Sequence, residues 1–407
     1  MAVFYFGGDL LKCYNLNMEE KIKITYGGWY QRTTLHLSEI YDLLAFGSSK
    51  LNLSKDELTK YRDLLNLESV SREAGYLEFV KARTKDGIEI RYYEDGLYIL
   101  ETDSENIKEG AKVLEVYHDT ILNPAISYIF SLGAPTPKIL ANIKTYHPVV
   151  INIVSDNPEN FEVDSNNFGE VYSKIISHDI AVYKTPRHLF LISKPNSQLP
   201  VSELTEMQIF FREFKDQLEK YLNIHRSVWE EISSIKEQKT IGGDQVEPIR
   251  SKLDSYQKTI SLINNRINQM GSYIRTRSSI SKGFKIEDRL VTLFQFKFEV
   301  LTDTLDYIKE IWKMTNDYLS SAIQNIVEIK NQGTNRSIQS LQVITSMGVI
   351  AGIIGYLSKD IFPKFTIIGT IYFAIIILFT WFINFSVNKI YKKKRYILKL
   401  PDRAKSL

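Results

Sequence analysis

The sequence has few of the features that indicate covalent or catalytic chemistry. Among 407 residues there is a single cysteine, Cys13, which cannot form a disulfide within the chain and so favours a reducing compartment. The formal net charge of +3 is too small to argue for a nucleic acid as partner, and we expect no nucleic-acid binding. Met1 to Leu16 has no basic segment followed by a long apolar one, so no signal peptide is predicted.

The common catalytic motifs are absent as well. There is no glycine-rich phosphate loop, no His-Glu-x-x-His, no Gly-x-Ser-x-Gly elbow and no cysteine pair. Histidines fall in different predicted elements: His118, His147, His178 and His188. Four carboxylates crowd one predicted loop, which is either a solvated loop or a regulatory cation site: Asp156, Glu159, Glu162 and Asp164. We predict that the protein is not an enzyme and has no cofactor.

The residues that are present predict a folded chain with an N-terminal α+β domain at residues 1–200. Hydrophobic residues make up 44% of the chain and aromatic residues 12%, enough to bury a core. Asp86-Gly87 and Asp95-Gly96 are turn signals, so Tyr76–Glu101 is predicted to be an antiparallel meander. The other predicted strands are Val3–Phe6, Ile22–Tyr26, Val149–Val154, Glu170–Ile176, Ile180–Lys184 and Leu189–Ser193. Helices are predicted at Leu37–Phe46, Ser54–Asn66 and Ser104–His118.

Heptad-like spacing of apolar residues predicts an antiparallel helical hairpin at residues 201–282. Gly242 and Gly243 interrupt the pattern, and Pro248 suits the first turn of the second helix. His225 lies on the apolar seam. We expect it to be a packed histidine, because no second residue stands at a spacing that suits a metal site.

A long stalk helix is predicted at residues 283–340. Apolar steps run from Leu290 to Ile329, and no proline occurs between Glu287 and Leu357. Gly333 is the one weak point. Because a helix of this length needs neighbours along its whole course, the pattern also predicts a homo-oligomer.

Two runs without formal charge predict two C-terminal transmembrane helices. Residues 341–357 form a run of about 17 residues and residues 365–387 one of about 23, joined by an outer loop at 358–364. The alternative is a buried helical hairpin. A basic tail at 388–407 predicts that both termini are cytoplasmic in a multi-pass protein of the inner or plasma membrane, with the lipid bilayer as partner. The basic residues that directly follow the second run are Lys389, Lys392, Lys393, Lys394 and Arg395.

The first run has a stripe of small and mildly polar residues, which suits either close packing of helices or the lining of a pore in an oligomer. The stripe consists of Leu341, Thr345, Gly348, Gly352 and Gly355. In the pore interpretation Leu341 forms a hydrophobic constriction and Thr345 offers hydroxyl groups.

This order of elements resembles the CorA family of divalent-cation transporters. Short segments are similar too: Tyr318-Leu319-Ser320-Ser321, Thr334-Asn335 and Ala351-Gly352-Ile353-Ile354-Gly355. The resemblance implies a CorA-like funnel, assembly as a homopentamer and a divalent cation (Mg, Co, Ni or Zn) as the transported or regulatory ligand.

The chain departs from the family at its signature. The family ends its first span with Gly-Met-Asn, whereas this chain has Gly355-Tyr356-Leu357. Leucine has no side-chain acceptor for a hydrated cation, and the Tyr356 hydroxyl suits either a substitute polar ring or an interfacial anchor. The outer mouth would consist of Leu357, Lys359, Asp360 and Lys364, whose positive balance disfavours cation entry.

Two functions follow as expectations. The first is a homo-oligomeric, CorA-like channel or transporter for divalent metal cations, with an altered selectivity filter. The alternative is a non-conducting CorA-like sensor or scaffold that is anchored in the membrane. An enzyme on a membrane tether is the weakest hypothesis, because no catalytic constellation is visible.

Overall fold

The computed structural model describes residues 22–30, 36–131, 149–238 and 240–357, together with separate residues between 367 and 397. These described residues form two compact units. The first unit comprises the residues up to Tyr221 and Asn265–Ile308. The second comprises Leu222–Asn264 and the residues from Lys309 onward.

The first unit is built on a nine-stranded mixed sheet with the strand order β2-β3-β4-β5-β1-β6-β9-β8-β7. The strands are β1 (Ile22–Trp29), β2 (Leu67–Glu73), β3 (Phe79–Thr84), β4 (Glu89–Tyr93), β5 (Leu97–Asp103), β6 (Val149–Val154), β7 (Ser173–Ser177), β8 (Ile180–Lys184) and β9 (His188–Ser193). Strands β6 and β9 run parallel, and every other neighbouring pair is antiparallel.

Short helices accompany the sheet of the first unit, and capping residues fix some of their ends. The helices are α1 (Leu37–Phe46), α2 (Lys55–Leu64), α3 (Ile107–Tyr117), a π-helical turn (His118–Leu122), α4 (Asn123–Phe130) and α5 (Ser165–Phe168). The Asn106 side chain accepts from two amides at the start of α3, and Gly47 ends α1 in the left-handed conformation. Gly110 lets α3 lie directly on β1, since a Cβ there would be 2.4 Å from Ile24 Cδ1.

Most predicted elements of this unit are confirmed. The meander is present as β3, β4 and β5 with antiparallel register. Helix α1 has the predicted limits, and so do β6 and β8. Strand β2 and helix α4 were not predicted. The strand predicted at Val3–Phe6 lies outside the described residues.

Four further helices follow: α6 (Val201–Glu237), α7 (Val246–Gly283), α8 (Glu287–Phe294) and α9 (Phe298–Leu357). Helices α6, α7 and α9 each contribute residues to both units. The predicted stalk is interrupted at Gln295, which has a φ of 60° and ends α8. Two short strands, β10 (Thr240–Gly242) and β11 (Arg395–Ile397), pair antiparallel in the second unit.

The prediction of two C-terminal transmembrane helices is contradicted. Within the described residues no helix is both long enough and apolar enough to cross a bilayer. The run at 341–357 has only about 17 residues and includes Gln342, Thr345 and Ser346, whereas a span needs about 20 predominantly apolar residues. Most of 365–387, like the predicted loop at 358–364, lies outside the described residues. This finding contradicts the predicted fold class with two spans, the predicted inner-membrane location and the predicted role in ion transport.

Candidate functional site

The first unit contains a cavity of about 440 Å³ where β1 ends and β5 begins. Its walls come from these two strands, from the turn that joins α3 to α4, and from α6. It is lined by Tyr26, Trp29, Tyr30, Tyr98, Glu115, His118, Asp119, Asn123, Glu213, Gln217 and Lys220. Aromatic and polar side chains therefore converge on one partly open cavity.

Two glycines position the strand residues of the cavity. Gly27 has no room for a side chain, because a Cβ there would lie 2.8 Å from the Tyr98 carbonyl oxygen and 3.1 Å from Ile209 Cδ1. This glycine lets α6 pack closely against β1. Gly96 has a φ of 90° and lies so near the backbone of Tyr30 that no other residue fits. The Tyr30 amide donates to the Gly96 carbonyl at 2.9 Å, which fixes Tyr30 at the cavity wall.

His118 is the centre of a hydrogen-bond network in the cavity wall. Its Nε2 lies 2.8 Å from the Tyr98 hydroxyl and 3.4 Å from the Tyr30 hydroxyl. Its Nδ1 lies 2.7 Å from Asp119 Oδ1 and 3.5 Å from the Tyr26 hydroxyl. Tyr26 of β1, Tyr98 of β5 and Tyr30, which directly follows β1, thus meet one histidine on the π turn.

The rings of these residues also pack against one another. The imidazole of His118 stacks on Tyr98, with centroids 5.1 Å apart and planes 5° from parallel. Tyr30 lies 4.9 Å from Tyr98, and Tyr26 lies 5.1 Å from His118. On the other side, Trp29 stacks on Phe214 of α6 at 5.4 Å and donates from Nε1 to the Asp95 carbonyl at 2.7 Å. This packing holds the aromatic walls in place before any ligand enters.

Protonation follows from burial and from the hydrogen bonds. Burial raises the pKa of Tyr26, Tyr30 and Tyr98 above the ordinary value, so all three stay neutral phenols at physiological pH. A carboxylate only accepts, which places a proton on His118 Nδ1 facing Asp119 and leaves Nε2 to accept from the Tyr98 hydroxyl. The histidine is therefore fixed in one orientation.

Charged side chains at the cavity are mostly acidic. Glu115 and Asp119 lie one helical turn apart, and the pKa of Glu115 is raised by burial and then by the charge of Asp119. Glu213 of α6 lies 3.0 Å from the Arg212 guanidinium. Lys220, one further α6 residue of the lining, has a pKa that burial lowers.

The sequence placed its candidate site on α9, and the structure does not bring those residues to this cavity. Leu341 is exposed, and Thr345 donates to the Leu341 carbonyl at 2.8 Å within the helix. A Cβ at Gly348 or Gly352 would meet nothing within 4 Å. Gly355, Tyr356 and Leu357 belong to the last turn of α9, and the side chains of the latter two lie outside the described part of the structure. Lys359, Asp360 and Lys364 lie outside the described residues.

No metal site appears among the residues that the structure describes, where no three histidine, cysteine, aspartate or glutamate side chains converge in a suitable group. The crowded carboxylates include Asp164, which instead caps α5 by accepting from the Asn166 amide at 2.9 Å. His225 is packed as expected: its Nε2 lies 2.8 Å from Thr315 Oγ1, and its ring meets Trp312 edge-on.

The residues of the cavity were missed in the sequence, apart from His118, which stood as one of several scattered histidines. The available signal is the aromatic and glycine-rich segment Tyr26-Gly27-Gly28-Trp29-Tyr30. Aromatic residues beside paired glycines favour a strand to which other backbone comes close. The chain gives no such local signal for α6, whose cavity residues lie nearly two hundred positions further on.

Comparison with models of protein families and with curated protein sequences finds no match to this chain. The resemblance to the CorA family stays a prediction.

Proposed function

We propose that this chain is a ligand-binding sensor, and that a small polar molecule binds in the cavity lined by β1, β5, the π turn and α6. The observation that carries this proposal is the cavity itself: about 440 Å³, with fixed aromatic walls and polar groups from four elements. Pockets of this size with a few convergent polar groups are typical of small-molecule sites. The proposal keeps the sensor part of the expected functions without a membrane anchor or ion transport.

Helix α6 supports a sensing role in particular. Glu213, Gln217 and Lys220 follow at steps of four and three and so share one face of the helix at the cavity. The same helix continues from Tyr221 in the first unit to Glu237 in the second. A ligand that contacts these side chains therefore contacts an element that continues into the second unit, and this element would carry the signal.

The network at His118 supports binding because it holds the cavity walls in place. Both imidazole nitrogens already have hydrogen-bond partners in the protein, Asp119 at one side and Tyr98 at the other. The neutral tyrosines offer hydroxyl groups and ring faces as fixed contacts. Such preorganisation lowers the cost of binding, because few side chains have to be ordered when the ligand arrives.

The test is ligand-observed NMR with a defined set of small amines, amino acids, carboxylic acids and nucleosides. We expect at least one of these probes to bind the wild-type chain, and Gln217→Trp to abolish that binding by filling the cavity. Gln332→Trp, on an exposed part of α9, is the matched control and should bind as the wild type does. If no probe binds, or if Gln217→Trp binds normally, the cavity is not the ligand site.

Coupling is measured separately by hydrogen–deuterium exchange. With a bound probe, we expect amide protection to change in residues 222–237 of α6 as well as around the cavity. Changes confined to the first unit would leave a binding protein without the proposed signal.

We also propose that the chain self-associates, as the sequence predicted for a homo-oligomer. The observation in favour is the exposed apolar cluster of α9, five exposed apolar side chains distributed around the last part of the helix: Ile338, Leu341, Met347, Val349 and Ile350. Exposed apolar surface marks interaction sites in many proteins. Sedimentation of the full chain at several concentrations tests this, and a monomer at every concentration would contradict it.

A further inference from the structure

The side chains that line the cavity indicate the charge of its ligand. Four of the lining residues are aromatic: Tyr26, Trp29, Tyr30 and Tyr98. The faces of neutral aromatic rings carry partial negative charge and attract cations, most strongly in sites with little water. Trp29 and Tyr30 are half-buried and are the two rings more open to the cavity, whereas Tyr26 and Tyr98 are buried behind them.

Carboxylates add a negative potential at the same place. Glu115 and Asp119 are four residues apart on the same side of the α3–π segment, and both line the cavity. The charge of Asp119 and burial together raise the pKa of Glu115, which means that the two carboxylates repel each other in the unliganded protein. A bound positive charge would relieve that repulsion.

The lining contains three carboxylates and one ammonium group, and two arginines outside the lining act on two of these carboxylates. Arg212 lies against Glu213, and His118 meets Asp119 through its Nδ1. The charge of Arg187 acts on Glu115 and lowers its pKa, but less than burial and Asp119 raise it. Lys220 contributes one ammonium group to the lining, opposite three carboxylates.

We propose that the ligand of the cavity is a small organic cation, an amine or a quaternary ammonium compound, held between the aromatic walls with its charge toward Glu115 and Asp119. This depends on the cavity being the binding site proposed for the sensor. Three features favour it together: a cavity of about 440 Å³, four aromatic side chains in its lining, and three carboxylates against one ammonium group in that lining. A soft, partly apolar cation matches aromatic walls better than a strongly hydrated metal ion does.

Calorimetric titration of the full chain tests the charge of the ligand. The probes are choline, its neutral isostere 3,3-dimethylbutan-1-ol, and acetate. We expect choline to bind about tenfold more tightly than the isostere, because only the charged compound gains from the rings and carboxylates. Acetate should not bind in the cavity.

Matched variants show which side chains make choline bind more tightly than its isostere. Asp119→Asn keeps the size of a side chain that is 70% exposed and should weaken choline binding about fivefold, with the isostere unchanged. Glu109→Gln removes the same charge from an exposed position on α3 and should change neither probe. Tyr30→Leu should cost choline about tenfold, whereas Tyr172→Leu, an exposed tyrosine, should not.

Different results would overturn different proposals. Equal binding of choline and the isostere, both blocked by Gln217→Trp, would contradict the cation proposal and leave the cavity as a binding site. Tight binding of acetate that Lys220→Gln abolishes would do the same. Displacement of choline by Mg²⁺ with no effect of Tyr30→Leu would mean that the site takes a metal ion. Choline binding that Gln217→Trp leaves intact would contradict the site itself.

Discussion

At the residue scale, buried charges show where single side chains matter most. Arg277 of α7 is 1% exposed and binds Asp95 with two hydrogen bonds, Nε to Oδ2 at 2.6 Å and Nη2 to Oδ1 at 2.9 Å. Its guanidinium also lies 4.9 Å from the ring of Tyr93. Asp95 precedes Gly96, the residue that fixes Tyr30, so this ion pair supports the turn next to the cavity.

We predict that Arg277→Met lowers the free energy of unfolding of the first unit by about 3–5 kcal/mol. The reason is that Asp95, which is 2% exposed, keeps its charge but loses its counter-ion. Urea unfolding followed by circular dichroism measures the loss. Arg275→Met, an exposed arginine on the same helix, is the control and should stay within about 0.5 kcal/mol. Equal stabilities of the two variants would mean that the pair contributes nothing.

His225 in the second unit gives a prediction on pH. Burial lowers its pKa, and the charge of Arg226 lowers it further. Thr315 Oγ1 donates to the Ile311 carbonyl at 2.9 Å, so it accepts from the Nε2–H of a neutral His225. The imidazole takes up its second proton less readily in the folded state than in the unfolded state. The stability that neutral His225 contributes is therefore fully present above a pH of about 6.5 and falls as the pH drops below it.

The measurement compares the wild type with His225→Gln, which has no titrating group at this position. We expect the melting temperature of the wild type to fall relative to that of His225→Gln as the pH is lowered from about 7.5 to about 5.5. A constant difference would show that the imidazole does not titrate across this range.

Single residues also show what the sequence could predict. The heptad pattern placed His225 on an apolar seam, and this is confirmed, because such a pattern records the burial of local neighbours. It did not distinguish His118 from the other histidines. The residues around His118 are 20 to 92 positions away in the chain, and only the folded sheet brings them together.

At the scale of elements, the close approach of α6 to β1 shapes the cavity and depends on Gly27. We predict that Gly27→Ala destabilises the first unit by about 1–3 kcal/mol, because the added Cβ would lie 2.8 Å from the Tyr98 carbonyl and 2.9 Å from Ile99 Cδ1. Gly87→Ala is a control without a steric contact, since nothing lies within 4 Å, although its φ of 87° adds backbone strain. Thermal unfolding measures both.

A displacement of α6 from β1 should also be visible at Trp29 of β1, because this residue stacks on Phe214 of α6. The chain has four tryptophans, so the measurement is the difference in emission from the wild type, which Gly27→Ala should change through Trp29 and Gly87→Ala should not. An unchanged spectrum with unchanged stability would mean that α6 adjusts without cost.

Elements with strong local patterns were predicted well, and those without them were not. Helix α1 has an apolar face and ends at a glycine, so its limits followed from the sequence. Strand β2 carries Glu68, Ser69, Ser71 and Arg72 in seven residues and lies at the edge of the sheet. An edge strand buries little and therefore has little apolar alternation to detect.

At the scale of the whole molecule, the prediction from the two charge-free runs was wrong. Charge-free runs at the C-terminal end predicted two spans and a pore, but no described helix is long and apolar enough to cross a bilayer. The candidate site moved with this correction, from the stripe on α9 to a cavity in the α/β unit. Sheet order and the course of α6 decide that position, and both depend on contacts distant in sequence.

The exposed apolar cluster on α9 then needs another explanation, and self-association is the one that we test. Met347 and Ile350 are 66% and 56% exposed, so Met347→Glu with Ile350→Glu adds charge to the cluster without disturbing a core. We expect this double variant to sediment with a lower mass than the wild type at the same concentration, because charges oppose the burial of an apolar interface. Met314→Glu, at 42% exposure further up the same helix, is the control and should sediment like the wild type. Equal masses for the double variant and the wild type would show that the end of α9 is not the interface, since two buried carboxylates per subunit would otherwise have to be desolvated.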